Sequence, residues 1–330
     1  MRIRLPVLIF AAALAAMPGW AQAPHKTGSA VPRTPEGHPD LQGIWTNVTL
    51  TPMERLPPFT SLEISEAEVL AFERKEKART IDGPDLNNSL LQSAGSAGTG
   101  AYNDLFIDRG NQYARMNGKV RTSLVADPAD GKIPAQTAQA RERQAALLRT
   151  GGLGRFDSVK DRPNSERCLI GFGSTAGPPM LPVLYNNNYQ IVQTADTVMI
   201  LVEMVHDVRI IRMNGTHPPA GVRQWLGDSV GHWEGDTLVV DTTDFHPMIR
   251  FRGSSDTLHV TERFTRANGG TLVYRATIDD PATFAKIWSV EYPFIATDGP
   301  VYEYACHEGN YAMPDILGGA RKLEKAGLKN

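Results

Sequence analysis

From Val183 onward the chain breaks into short runs rich in Val, Ile, Thr and aromatic residues, and no other feature limits the fold as much. The runs are Tyr189–Gln193, Val198–Met204, Val208–Met213, Thr237–Thr242, Leu258–Thr265, Leu272–Ile278 and Trp288–Tyr292. Turn chemistry separates them at Ala195-Asp196, Asn214-Gly215, Glu234-Gly235-Asp236 and Asn268-Gly269-Gly270. Short connections favour antiparallel pairing, because a parallel pair needs a crossover of about a dozen residues or more. Consecutive strands of this kind predict a mainly β fold, an antiparallel meander closing into a barrel or a strongly curled sheet. No internal repeat supports a propeller or solenoid.

The N-terminal half reads differently. Arg2 and Arg4 precede an uncharged apolar run, Leu5 to Ala16, too short to span a bilayer. Small residues follow at Ala21-Gln22-Ala23 and Gly19-Trp20-Ala21, so residues 1–23 are expected to be a secretory signal, cleaved after Ala23 or Ala21. Residues 24–60 are rich in proline and read as an extended arm on the surface, with one possible strand at Leu41–Val48. Residues 61–330 form a single β-rich domain with helical insertions. The capping box Ser65-Glu66-Ala67-Glu68 opens a helix running to about Arg79, Gln136 to Arg149 is a second helix, and Asp315 to Ala326 is a possible closing helix.

Charge excludes one class of partner. The chain carries 34 basic and 36 acidic residues, a formal charge of −2. Loss of the leader removes two arginines and no acidic residue and leaves −4. No basic excess exists to meet a phosphate backbone, so no nucleic-acid partner is expected. No later apolar window is long enough for membrane insertion after signal removal. The expected location is periplasmic or secreted. The only cysteines, Cys168 and Cys306, can form one disulfide there, the alternative being two buried thiols.

Polar residues that interrupt the strand pattern are the candidates for chemistry. Strict alternation places Glu262 on the same face as Leu258, Val260 and Phe264. An inward carboxylate is either an acid–base group or the partner of an inward arginine such as Arg209 or Arg275. Glu203, His206, Asp207 and Arg209 fall within seven residues at a strand junction, where a carboxylate can orient an imidazole for proton transfer. Trp225 to Asp236 is the densest polar–aromatic stretch, with Trp225, Asp228, His232, Trp233 and Glu234. His217, His232, Glu234 and His307 are an alternative metal set, although no tight ligand spacing is present. Tyr302 to Tyr311 reads as a last strand running into a loop, which places Tyr304 and His307 near its end.

Several of these stretches resemble a family of exported bacterial proteins. The matching segments are Thr51 to Arg55, Glu166-Arg167-Cys168, Tyr185 to Gln193, Glu203 to Ile211, Trp225 to Asp244 (WLGDSVGHWEGDTLVVDTTD) and Tyr302 to Tyr311 (YEYACHEGNY). The resemblance implies one continuous domain in a secreted protein and carries over no reaction. Separately, Asp40-Leu41-Gln42-Gly43-Ile44-Trp45 is similar to the Gly-x-Trp opening of lipocalin-like barrels, which include ligand carriers as well as enzymes.

The sequence therefore leads to an expectation of an exported, cofactor-independent enzyme, a lyase, hydratase, isomerase or hydrolase. It would act on a small, partly apolar molecule by general acid–base catalysis. Glu262 and His206 would exchange protons, Asp207 or Glu203 would orient the imidazole, and His307 would complete the catalytic group. Glu203, Arg209, Trp225, His232, Trp233 and Tyr304 would hold the substrate. The alternatives are a non-catalytic periplasmic ligand-binding barrel lined by Trp225, Trp233 and Trp288, and a metal-dependent hydrolase using the set named above.

Overall fold

The computed structural model describes residues 30–81, 108, 110–149, 155–171, 177–219, 221–249, 251–306 and 311–328. The expected signal segment and His307 lie outside them. The barrel wall is built from β1 (Gly43–Thr46), β6 (Asn188–Gln193), β7 (Thr197–Val202), β8 (Val208–Met213), β9 (Asp228–Glu234), β10 (Thr237–Thr243), β11 (His259–Asn268), β12 (Thr271–Asp279) and β13 (Trp288–Ala296). These pair in that order, and β1 also pairs with β13, so the ring closes. A short strand, β5 (Val125–Asp127), adds to the flank of β13. A satellite sheet of β2 (Glu63–Ile64), β3 (Arg115–Met116) and β4 (Lys119–Arg121) packs Ile64 and Val120 with Val69. Helices α1 (Glu66–Ile81), α2 (Ala138–Arg149) and α3 (Ala312–Lys325) lie outside the ring. The predicted capping box is formed: the backbone N–H of Ser65 donates to Glu68 at 2.8 Å.

Period-two patterning fills the barrel. Along β11 and β12 every second residue is buried, and Val260, Glu262, Phe264, Leu272, Tyr274, Ala276 and Ile278 face inward. Trp45, Tyr189, Tyr274, Tyr292 and Phe294 have no accessible surface, which leaves no water-sized space beside them. The interior is a packed aromatic core, as small barrels allow. Trp288, expected in the wall of an internal ligand cavity, is likewise fully buried against Phe251 and Phe284.

Three local expectations change. The strand expected within Leu41–Val48 forms as β1, but it lies in the wall and not on the surface, since it pairs with β6 on one side and β13 on the other. Residues 302–306 form no strand; Tyr302 is instead held by its backbone N–H, which donates to Glu203 at 3.0 Å. The meander is interrupted once, where β8 and β9 run parallel, in register Ile211 with Ser229 and Met213 with Gly231. The physical reason is the length of the segment between them. Residues 214–227 are long enough for a crossover and contain Pro218 and Pro219, which cannot donate to a ladder. The two strands approach closely at Gly231, where an added Cβ would lie 2.8 Å from Ile211 Cγ2.

Cys168 and Cys306 form a disulfide with Cα atoms 5.9 Å apart, 138 residues apart in sequence. It joins the segment before β6 to the segment after β13. Among the described residues no helix is long and apolar enough to cross a membrane.

Candidate functional site

The parallel seam creates the site. β9 begins its pairing with β8 only at Ile211, so among the described residues Val208 to Ile210 have no partner on that side. The crossover and the segment around His246 stand away from this bare stretch, and a cleft of about 630 Å³ opens there on the outside of the barrel. Its floor is the outward face of β8, where Val208, Ile210 and Arg212 alternate with inward Arg209, Ile211 and Met213. One wall carries Trp225, stacked on His246 at 4.0 Å between ring centroids, and Arg223. Gly227 turns the chain from this wall into β9 with φ of +74°, and an added Cβ would lie 2.7 Å from Thr242 Cγ2.

Asp207 lies at the start of the floor. Burial pushes its carboxyl up to about 6, against the opposing pull of the Gly171 backbone amide and of His206. Its Oδ2 is enclosed and has no hydrogen-bond partner among the described residues. The turn that delivers it is strained: Val205 and His206 adopt φ of 60° and 45°, and a buried β-branched residue rarely accepts the left-handed region. Glu203, nearly fully buried at the head of the turn, accepts from the Asn188 side-chain amide at 2.9 Å as well as from Tyr302. Glu203 thus anchors the turn, and the turn presents Asp207.

Beyond the floor runs a chain of charges on the outer wall. Arg212 donates to Asp228 at 2.7 and 3.0 Å. His217 lies between two carboxylates, Nδ1 2.7 Å from Asp228 and Nε2 2.9 Å from Asp241, and the other Asp241 oxygen meets His259. A neutral imidazole has one N–H and cannot donate to both carboxylates, so this geometry calls for the imidazolium. Burial pulls His217 down, but its bonds to Asp241 and Asp228 outweigh this and hold its pKa above the ordinary value. His259 is raised chiefly by Asp241, and Asp241 is lowered chiefly by His259. His217 thereby fastens the crossover, and with it Arg223 and Trp225, to β9 and β10.

The remaining sequence candidates fall elsewhere. Glu262 lies in the barrel core, where Arg209 grips it with Nη1 at 3.1 Å and Nη2 at 2.5 Å and the Tyr274 hydroxyl donates at 2.7 Å. Ala276 directly opposite on β12 leaves room for this triad. Burial pulls Arg209 down, yet the Glu262 charge prevails and its pKa rises, while burial drives Tyr274 well up. Of the two sequence alternatives for Glu262, the core shows the arginine pair. His206 is exposed and has no hydrogen bond to Glu262, so the expected proton-exchanging pair is not assembled. His232 reaches Glu234 at 3.2 Å on an exposed face, and Glu234 accepts from Arg263. Trp233 stacks on His38 of the arm, and Tyr304 stacks on Tyr185. Among the described residues no three His, Cys, Asp or Glu side chains form a metal-holding group, so His217, His232 and Glu234 are not gathered.

Arg212, Arg223, Asp241, His246 and His259 belong to the cleft or its charged rim, but motif reading does not select them. The available signal was the length of 214–227 between strands, which indicates a crossover and therefore a seam. No family model, curated protein or solved structure matches the chain.

Proposed function

We propose that this is an exported enzyme using general acid–base catalysis on a small, partly apolar molecule, with the outer cleft as its active site. Asp207 is the group that gives and takes the proton. The observation that carries this reading is a carboxyl raised to about 6 on the lining of a cleft, with one oxygen left without a partner among the described residues. A group of that acidity exists in both protonation states close to neutral pH, as efficient proton transfer requires. Trp225 and His246 offer an apolar, stacked wall, and Arg223 and Arg212 offer guanidinium groups for an anionic portion or a developing oxyanion. The chemistry is that of a lyase, hydratase, isomerase or hydrolase without a cofactor. Glu262 supports the barrel rather than the reaction. Export is supported by the basic–apolar N-terminal run together with the disulfide.

The test is a screen of small hydroxy acids, unsaturated acids and esters with wild type and Asp207→Asn. Turnover is expected to fall about 10²–10⁴-fold in the variant, with loss of the pH-profile limb near 6. Equal turnover by the two proteins would remove Asp207 from the reaction. The ring stack and the guanidinium groups are also recognition elements, so ligand binding without turnover would make the cleft a carrier site.

A further inference from the structure

The outward face of β8 is unusual for a strand exposed to water. Val208 and Ile210 are 46% and 51% exposed, and they stand side by side on the cleft floor. Period two places Arg212 next on the same face, roughly 13 Å from Val208 at the strand rise. The floor is thus an apolar strip that ends in a cation.

The cationic end keeps unused donors. Among the described residues Arg212 commits only Nη2, to Asp228 and the Thr216 carbonyl, and its Nε and Nη1 have no hydrogen bond there. Arg223 donates Nη1 to the Phe245 and Asp256 carbonyls, and its Nη2 lies 3.6 Å from the exposed Asp256 carboxylate, beyond hydrogen-bond distance. Trp225 lies along the strip and supplies an apolar wall. A cleft of about 630 Å³ is in the range that encloses a medium-sized organic molecule.

We infer that the cleft takes an elongated amphipathic anion, its anionic head at Arg212 and Arg223 and its apolar body over Val208 and Ile210 against Trp225. The reacting group then lies toward Asp207, at the end of the floor away from the head. This assignment rests on the proposed reading of the cleft as the active site, but only for its location. Its chemistry comes from the floor and the guanidinium groups, which a carrier would need equally.

Decanoate, below its micelle concentration, is the probe, and 1-decanol is the same body without the head. Calorimetric titration of the oxidised, leader-free protein is expected to show decanoate binding at least about tenfold tighter than 1-decanol. Arg223→Gln should remove most of that preference. Ile210→Glu places a carboxylate on an exposed floor position, where folding is not at stake, and should abolish decanoate binding. Melting curves of both variants verify that they are folded. No binding of decanoate, or equal affinity for the two probes, overturns the assignment. So does decanoate binding that Ile210→Glu leaves intact, since the ligand would then be elsewhere. If the variants discriminate as expected while Asp207→Asn turns over at the wild-type rate, the ligand class stands and the acid–base reading falls.

Discussion

Glu262 and Asp207 are both carboxylates withdrawn from water, and their surroundings differ in kind. Glu262 is met by a guanidinium and a phenol inside the core, whereas Asp207 has one backbone amide and an enclosed oxygen without a donor. Replacing Glu262 with Gln leaves the Arg209 charge buried with no opposite charge, and should cost about 3–5 kcal/mol of stability in urea unfolding. Arg209→Met combined with Glu262→Leu should recover most of that loss, because the two polar partners leave together. A single variant as stable as wild type would contradict the structural role. Asp207 behaves in the opposite sense. Its pKa is raised on folding, so between about pH 4 and 6 the native state holds a proton that the unfolded chain has released, and stability declines as pH rises through that window. Asp207→Asn abolishes the effect, and its melting temperature should gain on wild type as pH rises from 4 to 7 (about three units). Parallel melting curves for the two proteins would show that the carboxyl is not perturbed.

The crossover between β8 and β9 is the element on which the site depends. It breaks the meander, leaves the start of β8 bare, and carries Arg223 and Trp225 to the opening. His217 holds it down as an imidazolium between Asp228 and Asp241. A base raised on folding contributes stability that is fully present below its unfolded pKa, near 6.5, and lost as pH rises through its higher folded value. Wild type should therefore lose melting temperature from just below neutrality upward, and His217→Gln should flatten that slope and be less stable at pH 6. A variant with the wild-type slope would show that His217 does not act as the fastening. The strands on either side of this element were legible, since β8, β11 and β12 follow period two and turn residues separate the runs. The crossover was legible only in part: the length of 214–227 points to one, but Asn214-Gly215 has the chemistry of a hairpin turn, and the close approach of the two strands at Gly231 is a tertiary event. The inward face of Glu262 was legible from alternation, but its partner was not: Arg275 lies on the adjacent β12 and faces outward, whereas Arg209 comes from β8, three strands away in the sheet, and meets Glu262 only inside the closed ring.

At the scale of the molecule, one disulfide ties the two flanks of the barrel sequence together beside the cleft. The bonded Cys168 adjoins Leu169, a lining residue, and lies three residues before Gly171, whose amide meets Asp207. Closing a 138-residue loop stabilises by about 4–5 kcal/mol in the loop-entropy model. Cys168→Ser and Cys306→Ser should each lower the melting temperature by the same amount, with no further loss in the double variant. Unequal losses would point to roles for the cysteines other than their bond. That pairing could be read as an expectation from the two cysteines and the expected secretory leader, whereas the cleft could not. It draws its parts from residues 169, 207–212, 223–229 and 246, which neither spacing nor periodicity brings together. The proposed chemistry lies outside a packed barrel, on Asp207. The most direct test follows the Asp207 side-chain carboxyl carbon by NMR through an acid-to-neutral titration. A midpoint near 6 is the predicted result. A midpoint near the ordinary aspartate value of about 4 would contradict it and leave the cleft without its acid–base group.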